Sequence, residues 1–294
     1  MKPSPAFHVL DVPPVAADRA RFEIIPAPLE KSVSYGRGTA DGPAALLGAS
    51  AHLEAYDGGR VPAEAGIYTG PAVDCTPDAA SVLAAIAGRV TAALKGGRVP
   101  IVLGGEHTVT VGAVEALSAF CGSAAPSARF GVVQFDAHAD LRDRYEDNDL
   151  SHGCVMRRIV ERGIPVFQVG VRSLSAAEAA FRLAAGIPHA DAEDLAAAGR
   201  PSVALPPDFP RRIYLTFDLD AFDPAVMPGT GTPEPGGLFW YDALRLIQDV
   251  LDGRELVGFD VVELAPFAGS QVSEFTAAKL VYVLMAAALK AGPP

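Results

Sequence analysis

The sequence predicts an α/β protein in which a mainly parallel β-sheet lies between two layers of helices. Short runs rich in β-branched and aromatic residues alternate with Ala- and Leu-rich runs of helical length, which is typical of successive βα units. Several strand runs are apolar throughout, as strands covered on both faces should be. With 294 residues, 50% of them hydrophobic, the chain can bury a large core, so we predict one domain over residues 1–294, with residues 1–20 as an extended N-terminal segment.

Six strands and seven helices can be placed along the chain. The predicted strands are residues 22–25, 100–103, 130–135, 166–171, 212–217 and 256–262. The predicted helices are residues 44–55, 79–94, 108–120, 154–162, 176–185, 240–251 and 274–289. Ser273 is the predicted N-cap of the last helix. The Pro- and Gly-rich stretches 36–43 and 224–237 fall between these elements and are predicted loops.

Composition narrows the classes of partner. A formal charge of −11 and the absence of a dense Lys/Arg run argue against a nucleic acid or an acidic membrane surface, and are compatible with a small cationic substrate. The three cysteines, Cys75, Cys121 and Cys154, suggest neither a disulfide framework nor a zinc knuckle, which fits a reducing cytoplasm. Residues 1–16 lack the apolar core of a signal peptide, and no later run reaches the length of a membrane span.

Charged residues collect where the predicted strands end. Asp136 and Asp218 each directly follow an apolar strand run, and Gly104-Gly105-Glu106-His107 begins at the end of strand 100–103. Open α/β sheets form their ligand crevice at the carboxyl ends of the strands. We therefore expect these side chains in one crevice.

The spacing of these residues indicates a metal centre. Side chains alternate along an extended segment, so Asp-Ala-His-Ala-Asp presents three ligands on one side, and Asp-Leu-Asp presents two. Four carboxylates in one crevice would repel each other unless cations offset them, and two divalent ions would balance them. Oxygen-rich sites with some imidazole suit Mn²⁺, and are also compatible with Zn²⁺, Ni²⁺ or Co²⁺. The candidate ligands are His107, Asp136, His138, Asp140, Asp218 and Asp220.

His152 is a candidate proton shuttle. It lies in Ser151-His152-Gly153, about twelve positions after Asp140, and an imidazole titrates near neutral pH. The alternative is a histidine at a helix start beside a capping Ser151. The remaining histidines are expected at the surface or in packing contacts: His8, His52 and His189.

Glu263 is a candidate substrate ligand. It ends the apolar run 256–262, and a carboxylate in such surroundings needs a partner. The planar N–H fork of a guanidinium suits it, and the alternative is a structural ion pair with an arginine of the protein itself. Glu106 has two possible roles, since it could orient His107 or accept a bond from a backbone amide.

Five motifs together resemble the ureohydrolase family of arginases and agmatinases, over residues 34–279. They are Gly-Gly-Glu-His, Phe-Asp-Ala-His-Ala-Asp, Ser-His-Gly, Asp-Leu-Asp-Ala-Phe-Asp-Pro and Asp-Val-Val-Glu. The resemblance implies a three-layer αβα sandwich with a mainly parallel sheet of about eight strands, a binuclear manganese centre, and a homotrimer or homohexamer. It matches the six candidate ligands to the family's metal ligands, His152 to its proton-shuttling histidine, and Glu263 to its guanidinium-binding glutamate.

The resemblance also implies the reaction. Two ions activate a water molecule, which attacks the guanidinium carbon of a substrate held by Glu263. Asp140 receives or orients the proton of the nucleophile, and His152 helps to protonate the departing amine. Urea and a primary amine are the products.

The substrate tail depends on the loop 141–150. This loop lacks the Asn and Ser pattern with which arginases bind the α-carboxylate and α-amine, and with segment 231–237 it is more similar to agmatinases. The main prediction is therefore agmatine hydrolysis to putrescine, a step of polyamine synthesis. Arg142 and Arg144 could instead pair with the carboxylate of guanidinobutyrate or guanidinopropionate, or could be solvated loop charges.

Other substrates and classes are alternatives. Aminopropylagmatine and arginine would be cleaved by the same chemistry, and Glu234 has no assigned role. A zinc-dependent deacetylase of related fold would need fewer ligands, and a non-catalytic metal-binding subunit would be expected to lack a ligand, the shuttle or the substrate glutamate. The complete set of candidates argues against both.

Overall fold

A single eight-stranded sheet forms the centre of the protein. The structure is a computed structural model that describes residues 5–122 and 129–290. The strands are β1 (Phe22–Ala27), β2 (Ile67–Thr69), β3 (Val99–Gly104), β4 (Phe130–Phe135), β5 (Val166–Val169), β6 (His189–Ala190), β7 (Arg212–Asp218) and β8 (Glu255–Val262). Their order is β2-β1-β3-β8-β7-β4-β5-β6, and every neighbouring pair is parallel. The predicted parallel sheet of about eight strands is confirmed.

Helices cover both faces of this sheet. They are α1 (Gly42–Ser50), α2 (Ala79–Lys95), α3 (Val109–Gly122), α4 (Val155–Glu161), α5 (Ala176–Ala184), α6 (Ala192–Ala197), α7 (Trp240–Leu251) and α8 (Val272–Ala288). Ile24 packs in one apolar cluster with residues of α1, α7 and α8, whereas its neighbour Ile25 packs in a second cluster with α2, α3 and α4. Alternate strand residues therefore face opposite helical layers, which makes the three-layer sandwich.

Several predicted elements begin or end at other residues than predicted, and in β5 and α1 a local residue explains the difference. Strand β5, predicted over residues 166–171, stops at Val169 because Gly170 adopts a φ of 89°, which breaks the extended backbone. Helix α1, predicted over residues 44–55, begins at Gly42, because Pro43 fits the first turn of a helix, and it ends at Ser50.

The start of α8 is also a correction. Ser273 was expected to cap the helix, but it lies within it and its hydroxyl accepts a hydrogen bond from the amide of Gly229 at 2.9 Å. Its role is thus to hold the neighbouring loop. Strands β2 and β6 and helix α6 were not predicted from the sequence. His189 is exposed, as one of the two expectations for it had it, and begins β6.

The N-terminal segment is partly ordered against the core. Phe7 and Val9 are buried, and a 3-10 helix spans Ala17–Arg19. Within the described residues, no helix is both long and apolar enough to cross a membrane.

Four adjacent strands, β3, β8, β7 and β4, form the middle of the sheet. Because they are parallel, their carboxyl ends lie along one edge. The residues that follow them form the site described next.

Candidate metal centre

His107 lies at the centre of the first cluster, beyond the end of β3. Its Nδ1 lies 3.0 Å from Asp140 Oδ2, 3.2 Å from Asp136 Oδ2 and 3.4 Å from Asp218 Oδ2, although the residue is only 1% exposed. His107, Asp136 and Asp218 form a group that could hold a metal ion. The side chains from the ends of three strands therefore meet, as predicted from their places in the sequence.

The hydrogen bonds of His107 define which nitrogen faces the carboxylates as a ligand. Thr216 Oγ1 donates its only proton to Asp260 Oδ1 at 2.6 Å, so it accepts a bond from His107 Nε2, 2.8 Å away. Nδ1 then presents its lone pair to the carboxylates, and this buried atom has no hydrogen-bond partner among the described residues. A lone pair surrounded by anionic oxygens requires a positive charge between them, and a divalent cation fits that requirement.

The second cluster contains Asp136, His138 and Asp220, which form another group that could hold a metal ion. His138 Nδ1 lies 3.0 Å from Asp220 Oδ2 and 3.6 Å from Asp136 Oδ1. Asp136 thus belongs to both clusters and turns a different oxygen toward each histidine. This is the arrangement expected of a carboxylate shared by two ions.

The local backbone differs from the strand alternation that motivated the prediction. Residues 137–140 follow β4 as irregular backbone, and Asp140 has a φ of 52°. Asp220 lies in a 3-10 helix, Leu219–Ala221, and its amide donates to Asp218 Oδ1 at 2.9 Å. Tight turns, rather than extended segments, bring these carboxylates together.

The electrostatics of the ion-free cluster show strong mutual dependence among the charges. Burial, reinforced by the charge of Asp136, raises the pKa of Asp140 to about 7. Burial lowers the pKa of His138, but hydrogen bonds to Asp136 and Asp220 outweigh it and raise this pKa to about 12. Burial and then the charge of Asp220 hold the pKa of Asp218 well above its usual range. Protons on these carboxyl and imidazole groups therefore offset part of the negative charge of the four carboxylates, which divalent cations would otherwise balance.

His152 lies on the wall of the same cavity, at the start of the 3-10 helix His152–Cys154. Ser32 Oγ donates to Glu106 Oε1 at 2.9 Å, so it accepts from His152 Nδ1 at 3.2 Å. The other ring nitrogen, Nε2, is left as the proton acceptor. Burial lowers the pKa of His152, which favours the neutral ring. Ser151 makes no side-chain capping bond, so His152 is at a helix start without the predicted cap.

The carboxylate of Glu106 accepts hydrogen bonds from backbone amides rather than from the ring of His107. Its Oε2 accepts bonds from the amides of Lys31 and Ser32, at 2.6 and 2.7 Å, and its Oε1 accepts from Thr108 Oγ1 at 2.8 Å. The second of its two predicted roles is therefore the one in the structure.

Glu263 directly follows β8 and faces the same cavity. It has a φ of 64°, and its Oε1 accepts a hydrogen bond from the amide of His107 at 2.7 Å. Burial raises the pKa of its carboxyl well above the usual range. No arginine or lysine of residues 5–122 and 129–290 forms an ion pair with it, which speaks against the structural ion pair.

A cavity of about 320 Å³ joins these groups. Tyr145, Leu174 and Glu178 line it together with five of the six ligand candidates, all except Asp136, and the 37% exposure of Leu174 indicates that it lies near the opening. A larger cavity of about 690 Å³ lies at the opposite edge of the sheet, near the start of β8, but none of the candidate residues lines it.

The two loop arginines have different positions. Arg142 lines the cavity, with its guanidinium 4.9 Å from the centre of the Tyr145 ring and its Nε 3.7 Å from Glu178 Oε2. Arg144 is exposed and donates to the carbonyl of Asp147. The solvated interpretation therefore holds for Arg144, whereas Arg142 faces the cavity.

Several polar residues around the clusters were missed by the sequence analysis. Gln134 Nε2 donates to Asp136 Oδ2 at 2.7 Å, and Thr216 holds His107. Each lies two positions before an aspartate ligand candidate, within an otherwise apolar strand. A polar residue two positions before an aspartate, within an apolar run, was the sequence feature that could have identified Gln134 and Thr216. Asp260, buried in β8 and bonded by three hydroxyl groups, is a further polar residue within an apolar strand, three positions before Glu263.

Comparison with known proteins agrees with this geometry. The profile of the arginase family matches residues 20–287. N(1)-aminopropylagmatine ureohydrolase of Synechocystis sp. is 38% identical over 277 residues, which cover 90% of this chain and 88% of that protein. The enzyme of the same name from Thermococcus kodakarensis is 36% identical over 290 residues, or 96% of each chain.

A solved structure shares the architecture. The agmatine ureohydrolase of Thermoplasma volcanium superposes with a TM-score of 0.78 at 29% identity, covering 94% of this chain and 92% of that chain. The length of these matches shows that the chain belongs to the arginase family, hydrolases that act on the carbon–nitrogen bonds of guanidino compounds.

Proposed function

We propose that this protein uses two Mn²⁺ ions to hydrolyse a guanidino compound to urea and an amine. The observation that supports this most strongly is the pair of ligand clusters sharing Asp136, with the carboxylate of Glu263 in the same cavity. The ligand set supports manganese, because carboxylate oxygens outnumber imidazoles.

Each cluster would hold one ion. His107, Asp136 and Asp218 hold the first, with Asp140 beside them, and Asp136, His138 and Asp220 hold the second. When bound, such ions supply a water molecule acidic enough to act as a nucleophile at neutral pH.

The remaining steps belong to side chains of the chain itself. Glu263 pairs with the guanidinium through parallel hydrogen bonds and so orients its carbon. Asp140, whose Oδ2 lies 3.0 Å from His107 Nδ1 beside the first cluster, accepts or orients the proton of the nucleophile. His152 takes up a proton from solvent at Nε2 and passes it to the departing amine, while Ser32 holds its Nδ1.

For the substrate we favour N(1)-aminopropylagmatine, which would yield spermidine, over the predicted agmatine. Two relatives named for that activity are 38% and 36% identical, whereas a relative and a solved structure named for agmatine cleavage are 32% and 29% identical. Of the residues that line the cavity near its opening, Leu174 offers an apolar contact for the longer tail, whereas the Tyr145 ring and the Glu178 carboxylate are already engaged by Arg142. Agmatine would fit the same groups with a shorter tail.

Arg142 supports a second candidate. Its guanidinium in the cavity could bind the carboxylate of guanidinobutyrate or guanidinopropionate. Glu178 and the Tyr145 ring already engage this charge, which weakens that alternative.

For the assembly we propose a cytoplasmic homotrimer or homohexamer, as the family resemblance implies. Exposed apolar side chains such as Phe239 and Tyr241, at 56% and 76%, provide surface for self-association. Light scattering of the purified protein measures the mass directly, and a monomer would contradict this proposal.

A urea-release assay tests the proposed function. The Mn²⁺-loaded protein is given aminopropylagmatine, agmatine, guanidinobutyrate, guanidinopropionate and arginine in turn. We expect the highest kcat/KM with aminopropylagmatine. A preference for either carboxylate would move the assignment to the Arg142 alternative, and urea from none of them would reject the reaction.

A further inference from the structure

Arg172 connects three segments around the second ligand cluster. It lies just after β5, and its guanidinium donates only to main-chain carbonyl oxygens. The acceptors and distances are Asp220 at 2.8 Å, Glu234 at 2.7 Å, Pro235 at 3.0 Å, Gly170 at 3.1 Å, Phe222 at 3.3 Å and Ala221 at 3.4 Å. A planar fork with five N–H groups can serve so many acceptors, whereas an ammonium group with three cannot.

Two of these segments frame the second cluster. One is the 3-10 helix that carries Asp220. The other is the loop after it, in which Thr232 Oγ1 lies 3.3 Å from Asp220 Oδ2 and Glu234 Oε1 lies 3.9 Å from His138 Nε2. Arg172 therefore ties the turn that presents a ligand candidate to the loop that contacts it.

The backbone of Arg172 supports the remaining member of that cluster. The amides of Arg172 and Ser173 both donate to the carbonyl of Ala137 at 2.9 Å, between Asp136 and His138. The amide of Ala137 in turn donates to Asp220 Oδ1 at 3.0 Å. The contacts of Arg172 thus converge on the His138 cluster, while none reaches His107.

Gly237 shows that this packing has no spare room. A Cβ at this position would lie 2.6 Å from Arg172 Nη2 and 2.5 Å from the backbone of Phe222 and Asp223. Only a residue without a side chain allows the loop to approach the guanidinium this closely.

The guanidinium has no carboxylate partner that would explain it as an ion pair. Among the described residues, no carboxylate oxygen of an Asp or Glu side chain forms an ion pair with Arg172, although the side chain is partly buried. The positive charge of the guanidinium interacts with the dipoles of main-chain carbonyl groups. The function of Arg172 is therefore to hold these backbone segments in place.

We propose that Arg172 is a positioning residue that holds Asp220 and the 232–235 loop in place and thereby sets the affinity of the second metal ion. This inference rests on the proposed two-ion function. It predicts an effect on one ion and not on the other.

Titration of metal-free protein with Mn²⁺, counting ions per chain by equilibrium dialysis, tests it. We expect wild-type protein to bind two ions, and Arg172→Lys to bind the first normally and the second about 10- to 100-fold more weakly, the usual effect of losing a group that supports a ligand. Gly237→Ala, which leaves the charge in place, should weaken the second ion as well, and it decides the question if Arg172→Lys does not fold.

Arg182→Lys is the matched control. Arg182 is 4% exposed and pairs with Asp191, away from both clusters, so its replacement should lower stability and leave both ions bound. Wild-type affinity for both ions in Arg172→Lys and Gly237→Ala would overturn the inference. Wild-type protein that binds fewer than two ions would instead contradict the proposed function.

Discussion

Asp136 contributes one oxygen to each ligand cluster, so the two clusters depend on a single carboxylate. Oδ2 lies near His107, and Oδ1 lies near His138. Gln134 and the amide of His138 donate to these same oxygens, at 2.7 and 2.6 Å. The carboxylate is therefore held in one orientation before any ion binds, and this favours both ions equally.

Removing one negative charge at Asp136 should affect both ions. Asp136→Asn keeps the shape but loses an anionic oxygen for each cluster, so we expect fewer than one Mn²⁺ per chain and a kcat reduced by at least about a hundredfold. Metal analysis and urea release measure the two effects. Asp143→Asn, at an exposed pair with Arg158, is the control. Two bound ions with normal turnover in the Asp136 variant would reject the shared-ligand arrangement.

Ser32 Oγ contacts both the amide and Nδ1 of His152, at 3.0 and 3.2 Å, whereas Ser151 Oγ lies 3.3 Å from Nδ1 alone. Ser32→Ala removes a partly buried hydrogen bond worth about 1 kcal/mol, so we expect a drop in kcat of roughly five- to tenfold with unchanged metal content. Ser32→Thr, which keeps the hydroxyl, should recover most of the activity. A variant Ser32→Ala with wild-type kcat would show that His152 needs no such support.

At the scale of elements, the site results from the order of four strands. The local sequence places a ligand candidate after each of β3, β4 and β7, and this was sufficient to predict that they converge. The strand order was not predictable, because β8 and β7 insert between β3 and β4 through pairings remote in sequence. The edge strands β2 and β6 have three and two residues, too few to show a period of two, and their neighbours hold them extended.

The turns also differ in how well the sequence predicts them. Positive φ at Asp140 and Glu263 has no sequence signal, because aspartate and glutamate rarely adopt it. Glycines are more informative. Gly105, between β3 and His107, would place a Cβ only 2.1 Å from the carbonyl oxygen of Leu29. The backbone at Gly105 must therefore approach Leu29 closely to bring His107 into the cluster, and only a residue without a side chain allows this.

Gly105→Ala should be destabilising through this contact. We expect the free energy of unfolding to fall by about 1–3 kcal/mol, the usual cost of an overpacked core, and Mn²⁺ affinity to fall with it. Gly88→Ala is the matched control, because Gly88 lies in α2 with nothing within 4 Å of a new Cβ and should gain about 0.5–1 kcal/mol. Urea denaturation compares the two. Equal stability of both variants would contradict the close approach at Gly105.

At the scale of the whole molecule, two apolar clusters hold the sheet and its helices together. The buried carboxylates of the candidate metal centre repel one another and so oppose folding. Without ions, burial and Asp136 raise the pKa of Asp140 to about 7, and the carboxylates raise that of His138 to about 12 against the effect of its burial. A raised folded pKa contributes stability below the ordinary pKa, and this contribution is lost as the pH rises through the folded pKa. Both groups therefore make the ion-free protein less stable from pH 5 toward pH 9.

Bound Mn²⁺ should offset this loss of stability at higher pH. Divalent ions replace the protons, so we expect the thermal stabilisation by Mn²⁺ to grow as the pH rises from 5 to 9, reaching about 2.7 kcal/mol where the free ion is at 100 times its Kd. Melting temperatures with Mn²⁺ and with a chelator, measured across this range, give the difference. A stabilisation that shrinks with rising pH would contradict the charge balance described for the cluster.

The central claim is that three strand ends form one centre for two ions. A crystal structure of the Mn²⁺-loaded protein, with anomalous diffraction at the manganese edge, tests it most directly. We expect two peaks per chain, one beside His107 and one beside His138, with Asp136 contacting both. A single peak, or two peaks that share no carboxylate, would contradict it.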